Sequence, residues 1–316
     1  MRTINREEIV TNAGHVVVLK GGNSAERDIS LLSGEAVFDG LQRLGIKSTV
    51  IDVDENIMAR LDETRPDLVF IMLHGKGGED GVIQGFLETM NYAYTGSNVL
   101  SSALAMDKIK SKLIWQKLGL NTADFLQLHP ESDWGSIIGQ LGTVVVKPVN
   151  GGSSLGIAIV NDAVALQKQY KIAAEYDSSV MAEKYIEGKE FSIGVLGQHL
   201  LPAIELETIR EFFDFNAKYV DENTQIICPA KLPEHKLREL NELARRAYES
   251  LDCAGLARVD LMQDQHESFF LLEVNTVPGM TSHSFIPIAA NQVGINFDEL
   301  LLRVLDEEIR KRDRAE

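Results

Sequence analysis

Asp260, Glu273 and Asn275 are the residues of this 316-residue chain best suited to hold a hard divalent cation. Asp260 lies in an apolar alternating stretch, 257–262, and Glu273 and Asn275 close a second one, 269–275, across the polar turn 263–268. Strand side chains alternate faces, so Glu273 and Asn275 point the same way. A symmetric hairpin sets Asp260 opposite Glu273 and Arg258 opposite Asn275, with Val259, Leu261, Leu272 and Val274 on the other face. Two carboxylates and an amide oxygen, with no His or Cys in either strand, suit magnesium, which completes its shell with waters and phosphate oxygens. Taken alone, the segment reads equally well as an outer strand face in solvent. Arg258 on the same face and the loop of Pro278, Gly279, Ser282 and Ser284 directly afterwards favour the site.

A second group of residues suits phosphate. Lys147 ends an apolar strand expected over 143–149, and Gly151-Gly152-Ser153-Ser154-Leu155-Gly156 follows at once. Glycines let backbone N–H groups close around phosphate oxygens, and the serines add donors. The order is not that of a P-loop, because the lysine precedes the glycines and a strand, 157–160, follows. It reads as a β-turn lid over a triphosphate, or by itself as a plain hairpin turn. Lys108 lies on a lysine-rich helix, 107–118, where a solvated face is the simpler reading. Gly21-Gly22-Asn23-Ser24 lacks the three spaced glycines of a dinucleotide fingerprint. Glu26 beside it therefore marks a small-molecule site, or else an ordinary helix cap.

These residues need elements to position them. Strands at 15–19, 50–53 and 68–73 alternate with helices, the first at 29–44 and another after the loop 74–81. Such alternation implies a parallel sheet with right-handed crossovers, with ligands at the carboxyl ends of its strands. The pattern changes at Thr95-Gly96-Ser97, where a boundary falls; a further strand is expected at 180–185 and a closing helix at 297–311. The length fits two or three domains around a cleft. The N-terminus has no apolar leader and no run reaches the ~20 apolar residues of a span, so no membrane contact is expected. Two cysteines without paired spacing fit a reduced, cytoplasmic setting. A net charge of −16 argues against nucleic acid. It also opposes any polyanionic ligand unless local lysines and a cation overcome the field.

Taken together, five segments resemble the ATP-grasp ligases, and among them the D-alanine–D-alanine ligase family. They are Gly21-Gly22-Asn23-Ser24-Ala25-Glu26-Arg27, the loop His74 to Gly81, and Lys147-Pro148 with its glycine-serine loop. The others are Leu272-Glu273-Val274-Asn275-Thr276 and Pro278-Gly279-Met280-Thr281-Ser282-His283-Ser284. The resemblance runs from His15 to the last helix. It implies a mixed α/β chain: a Rossmann-like parallel-sheet domain at 1–98 for the first substrate, a central lid domain at 99–184, and a catalytic, metal-binding domain at 185–316. The latter two would clamp ATP between antiparallel sheets. It implies that Lys108, Lys147, Ser153, Ser154 and Lys218 meet the phosphates, that Glu183, Tyr185 and Ile186 line the adenine slot, and that Glu190 meets the ribose. The segment 183–190 is also readable as a surface turn.

The same resemblance implies two magnesium ions, replaceable by manganese, on Asp260, Glu273 and Asn275. Glu26 would take the ammonium of the first D-alanine, with His74 and Glu79 close by, and Ser284 and Phe285 would border the second. Arg258 and the Gly279 N–H would hold the oxyanion. Lys218 and Tyr219 fall in 212–228, which resembles the family's mobile loop, and Tyr219, Ser153 and Glu26 would form one network. The expected reaction joins two D-alanines through an acyl phosphate, for peptidoglycan precursors, in a homodimer. The Lys-Tyr pair favours D-alanine over D-lactate; a carboxylate–amine ligase using D-serine or D-lactate is the rival. Phe285, where relatives often carry Leu, and Gly151, where they often carry a larger polar residue, depart from the pattern.

Overall fold

Val16 to Leu19 are four consecutive apolar residues, all fully buried, and a strand apolar on both faces belongs at the centre of a parallel sheet. In the computed structural model, which describes residues 3–152, 155–207 and 225–315, β1 (Val16–Gly21) takes that place. It lies between β2 (Ser48–Val53) and β3 (Leu68–Ile71), parallel to both. Around it stand α1 (Arg6–Ala13), α2 (Arg27–Arg43), α3 (Ile57–Thr64) and α4 (Val82–Thr89). The sequence pattern does not announce α1, which buries only Ile9 and Ala13 and is capped by the Asn5 side chain.

The middle of the chain forms α5 (Val99–Met106), α6 (Lys108–Lys117), β4 (Phe125–Leu128), α7 (Trp134–Leu141), β5 (Val144–Pro148), β6 (Ala158–Val160), α8 (Ala163–Ala173) and β7 (Val180–Lys184). Its sheet runs β4-β7-β5-β6, antiparallel throughout. Leu166 of α8 and Ile137 and Leu141 of α7 close one face over Val144, Val146, Val180 and Ala182.

The remainder contains β8 (Gly188–Leu196), β9 (His199–Leu200), β10 (Ile204–Glu207), β11 (Gln225–Ile227), α9 (Glu234–Ser250), β12 (Leu256–Asp264), β13 (Phe269–Asn275), α10 (Phe285–Gln292) and α11 (Phe297–Ala315). A second antiparallel sheet has the order β11-β10-β8-β12-β13, with β9 on β8. Leu240, Ala244 and Ala247 of α9 cover it over Phe191, Val259 and Leu261. The last helix does not stay there. Leu300, Leu301, Val304 and Leu305 join the core of β1 and β3, and α11 packs on α1 and α2.

The β12–β13 hairpin departs from the symmetric form. Arg258 faces Asn275 and Asp260 faces Glu273, but the register then shifts and Leu261 faces Leu271. Leu272 is the extra residue of a β-bulge, in which two residues oppose one. Leu271, not Leu272, therefore joins Val259, Leu261 and Val274 in the core, while Leu272 is half-buried outside it. The hairpin also runs on to Asp264, whose carboxylate closes the turn by accepting the N–H groups of His266 and Ser268 at 2.9 and 2.8 Å. Among the described residues, no helix is long and apolar enough to cross a membrane.

Candidate active site

β12 and β13 bring Asp260, Glu273 and Asn275 into mutual contact. The Asn275 Nδ2 group donates to Asp260 Oδ2 at 3.0 Å and to Glu273 Oε1 at 3.5 Å. Asp260 is almost fully buried. Arg258 grips it through Nε (2.9 Å to Oδ1) and Nη2 (2.7 Å to Oδ2), and Ser192 of β8 donates to Oδ1 at 2.7 Å. Lys108, at the first turn of α6, reaches across to Glu273 Oε2 at 3.0 Å. Two side-chain cations thus balance two carboxylates. The donor set fits magnesium: it is all hard oxygen once the Asn275 amide turns its oxygen inward, a rotation that costs no packing.

Lys108 also donates to the Gly151 carbonyl at 2.6 Å, which ties the glycine loop to the acidic cluster. Gly152 lies directly over Glu26: a Cβ there would come within 2.5 Å of Glu26 Oε2. Ser153 and Ser154, the next residues of that loop, lie outside the described residues, as do Lys218 and Tyr219. Lys147 is buried and forms an ion pair with Glu183, whose other oxygen pairs with Lys112. Burial by itself raises the Glu183 carboxyl, but the two ammonium groups outweigh it and hold it below the ordinary range.

The Glu183 side chain, expected at the adenine slot, is turned inward by this arrangement. Its carboxylate is captured inside by two lysines and is almost without solvent contact. Tyr185 and Ile186, with Lys184, line a separate cleft of about 360 Å³ that Asn121, His266 and Phe270 complete. Glu190 lies on β8 opposite Met262 and Leu206, and does not border that cleft.

The loops after β1 and β3 build the other wall. Ser24 Oγ accepts the Glu26 N–H at 3.1 Å and donates to the His74 carbonyl at 2.7 Å, fixing Glu26 at the start of α2. Arg27 anchors the same turn through a two-pronged contact with Asp52, at 2.7 and 2.6 Å. Glu79 accepts N–H groups from Gly75 (2.7 Å) and Val277 (3.2 Å), which stitches this wall to the loop after β13. Ser33 extends the seam: it accepts the Met280 N–H at 3.2 Å and lies 3.3 Å from His74 Nε2. Burial, then the charge of Glu26, pushes the Glu79 carboxyl up to about 8. Burial lowers His74, which is therefore a neutral imidazole at pH 7.

Glu26, His74, Glu79 and Lys108 line one cleft with Arg258, Glu273, Asn275 and Gly279. Ser284 and Phe285 do not line it. Ser284 Oγ accepts the Thr281 N–H at 3.0 Å at the head of α10, and the Phe285 ring lies 5.5 Å from the Arg258 guanidinium carbon. Two residues of the site escaped the sequence reading. Ser192 carries no local signal. Lys112 does, because a helix places residues four apart on one face, and Lys112 is four after Lys108.

Two antiparallel sheets facing a cleft of lysines, glycines and paired carboxylates define a ligase of the ATP-grasp class. The model described as D-ala D-ala ligase C-terminus matches residues 114–306, and that described as D-ala D-ala ligase N-terminus matches 55–97. The chain belongs to the D-alanine–D-alanine ligase family. A D-alanine–D-alanine ligase of Saccharophagus degradans is 47% identical over 293 residues, 92% of this chain and 93% of that protein. One from Nitrosococcus oceani is 47% identical over 300 residues, 95% of each chain. A crystal structure of D-alanine–D-alanine ligase from Bacillus anthracis superposes with a TM-score of 0.86 at 35% identity, covering 96% of this chain and 100% of that one. A crystal structure of D-alanine–D-alanine ligase from Bacillus anthracis complexed with ATP gives 0.85 at 32% identity, with the same coverage.

Proposed function

We propose that this chain joins two D-alanine molecules into D-alanyl-D-alanine, for peptidoglycan precursors, with conversion of one ATP to ADP and phosphate. The observation that carries the reading is the single cleft where Glu26, Lys108 and Arg258 face the Asp260–Glu273–Asn275 cluster. A carboxylate is a poor electrophile, so the first D-alanine carboxylate attacks the γ-phosphorus and becomes an acyl phosphate while ADP departs. The amine of the second D-alanine attacks that carbonyl, loses a proton, and expels phosphate. Glu26 holds the first ammonium, with the neutral His74 and Glu79 behind it. Arg258 and the Gly279 N–H hold the oxyanion, a contribution that can reach several kcal/mol.

Lys108 and Lys147 meet the phosphates, and Asp260, Glu273 and Asn275 would hold two magnesium ions, or manganese in their place. When bound, these ions neutralise charge on the phosphate oxygens. Tyr185 and Ile186 face the base, Glu190 the ribose, and Ser284 and Phe285 the second alanine. By the resemblance, Ser153, Ser154, Lys218 and Tyr219 complete the enclosure that keeps water from the acyl phosphate. Residues 1–98, 99–184 and 185–316 act as substrate, lid and catalytic units in a homodimer in the cytoplasm, where ATP is available.

Phosphate release tests the reading. ATP, magnesium and D-alanine alone should give steady release, L-alanine none, and excess chelator should stop it. Release with D-alanine only after D-serine or D-lactate is added would overturn D-alanine as the second substrate.

A further inference from the structure

Lys112 is fully buried on α6. Its ammonium donates to Thr122 Oγ1 at 2.6 Å and to the Leu271 carbonyl at 3.0 Å, and pairs with Glu183. Two of its N–H donors are therefore used on Thr122 and Leu271, and its charge is matched by Glu183. The partners come from the segment before β4, from β13 and from β7, so Lys112 sits where the smaller antiparallel sheet meets the edge of the larger one. Lys147 of β5 differs. Among the described residues its ammonium has one partner, the other oxygen of Glu183, which leaves two donors for a ligand.

Two ammonium groups on one carboxylate leave one positive charge in excess inside the protein. A buried charge without a partner is costly, so whichever lysine turns to a ligand must leave Glu183 paired behind it. Lys112 is tied to three partners and has no solvent contact, whereas Lys147 has one partner among the described residues and a small exposed fraction. We propose that Lys112 is a positioning residue: it holds Glu183 as a standing counter-ion so that Lys147 is released to the phosphate chain of the nucleotide. This rests on the reading that Lys147 meets the phosphates. Burial draws the Lys112 ammonium down to about 8, against the pull of Glu183, and it is still mainly cationic at pH 7.

Equilibrium binding of ATP and of adenosine, with magnesium and without amino acid, tests this independently of turnover. Lys112→Met leaves Glu183 with Lys147 alone, so Lys147 stays inside. ATP affinity should fall about tenfold while adenosine affinity changes by less than about twofold. Removing the captor as well, in the double variant Lys112→Met with Glu183→Gln, should restore part of the lost ATP affinity, because Lys147 is then free. If Lys112→Met does not fold, Lys112→Gln, which keeps contacts to Thr122 and Leu271, takes its place. Unchanged ATP binding, an equal loss for adenosine, a double variant no better than the single one, or failure of all three to fold would each overturn the inference. Lys147→Met separates the two readings: if it binds ATP as wild type does, the phosphate role of Lys147 fails first.

Discussion

Glu79 shows how one buried carboxyl couples the site to stability. Unfolded, it titrates near the ordinary 4.5; folded, burial and the neighbouring Glu26 move it to about 8. Between those values the folded chain binds a proton that the unfolded chain has released. Stability therefore falls as pH rises through that window and levels off above it. The N–H groups of Gly75 and Val277 limit the effect by favouring the charged form. In Glu79→Gln the group no longer titrates, and a constant loss of one N–H contact replaces the slope. Urea unfolding at pH 5 and pH 8 should show the wild type losing roughly 3–4 kcal/mol more than the variant across that interval. Equal losses in the two proteins would mean that Glu79 is charged throughout.

At the scale of elements, glycines decide which loops touch. Gly78 and Gly152 look alike in the sequence, yet a Cβ on Gly78 would meet the Leu73 carbonyl oxygen at 2.2 Å, whereas one on Gly152 would meet the end of the Glu26 side chain at 2.5 Å. Backbone cannot yield and a carboxylate can. Gly78→Ala should lower the melting temperature by several degrees, roughly 1–3 kcal/mol of overpacking. Gly152→Ala should melt near wild type but raise the KM for the first D-alanine about tenfold, because Glu26 is pushed aside. A Gly152→Ala enzyme with normal KM would separate the glycine loop from the first-substrate site. The strands carrying this geometry were legible wherever apolar runs were long or alternating, as at Val16 to Leu19 and Phe269 to Asn275. The bulge at Leu272 was not, because an extra residue changes register without changing composition. The pairing of Lys112 and Lys147 with Glu183 was not legible for a related reason: a sequence shows charge but not the opposite charge that tertiary packing places beside it.

Across the whole molecule, the chain's end completes its beginning. Leu301 on α11 is fully buried in the core that contains β1 and β3, and its Cδ1 would lie 2.3 Å from a Cβ at Gly40 of α2. The loops after β1 and β3 carry Glu26, His74 and Glu79, so a helix far along the chain supports this wall of the cleft, the one we propose for the first substrate, without lining it. The smaller antiparallel sheet has its own core, built from Leu128, Val144, Leu166 and Val180, and Leu301 takes no part in it. Leu301→Ala should therefore destabilise unevenly. A truncation of this kind costs about 2–5 kcal/mol, and hydrogen exchange should quicken through β1, β3 and α2 while β5 and β7 keep wild-type protection. Affinity for D-alanine should weaken with it, and affinity for ATP, which we propose is held from the other sheet by Lys147, should stay close to wild type. Exchange that quickened equally in both sheets would instead make the chain a single cooperative unit, with the first-substrate wall and the nucleotide clamp opening together.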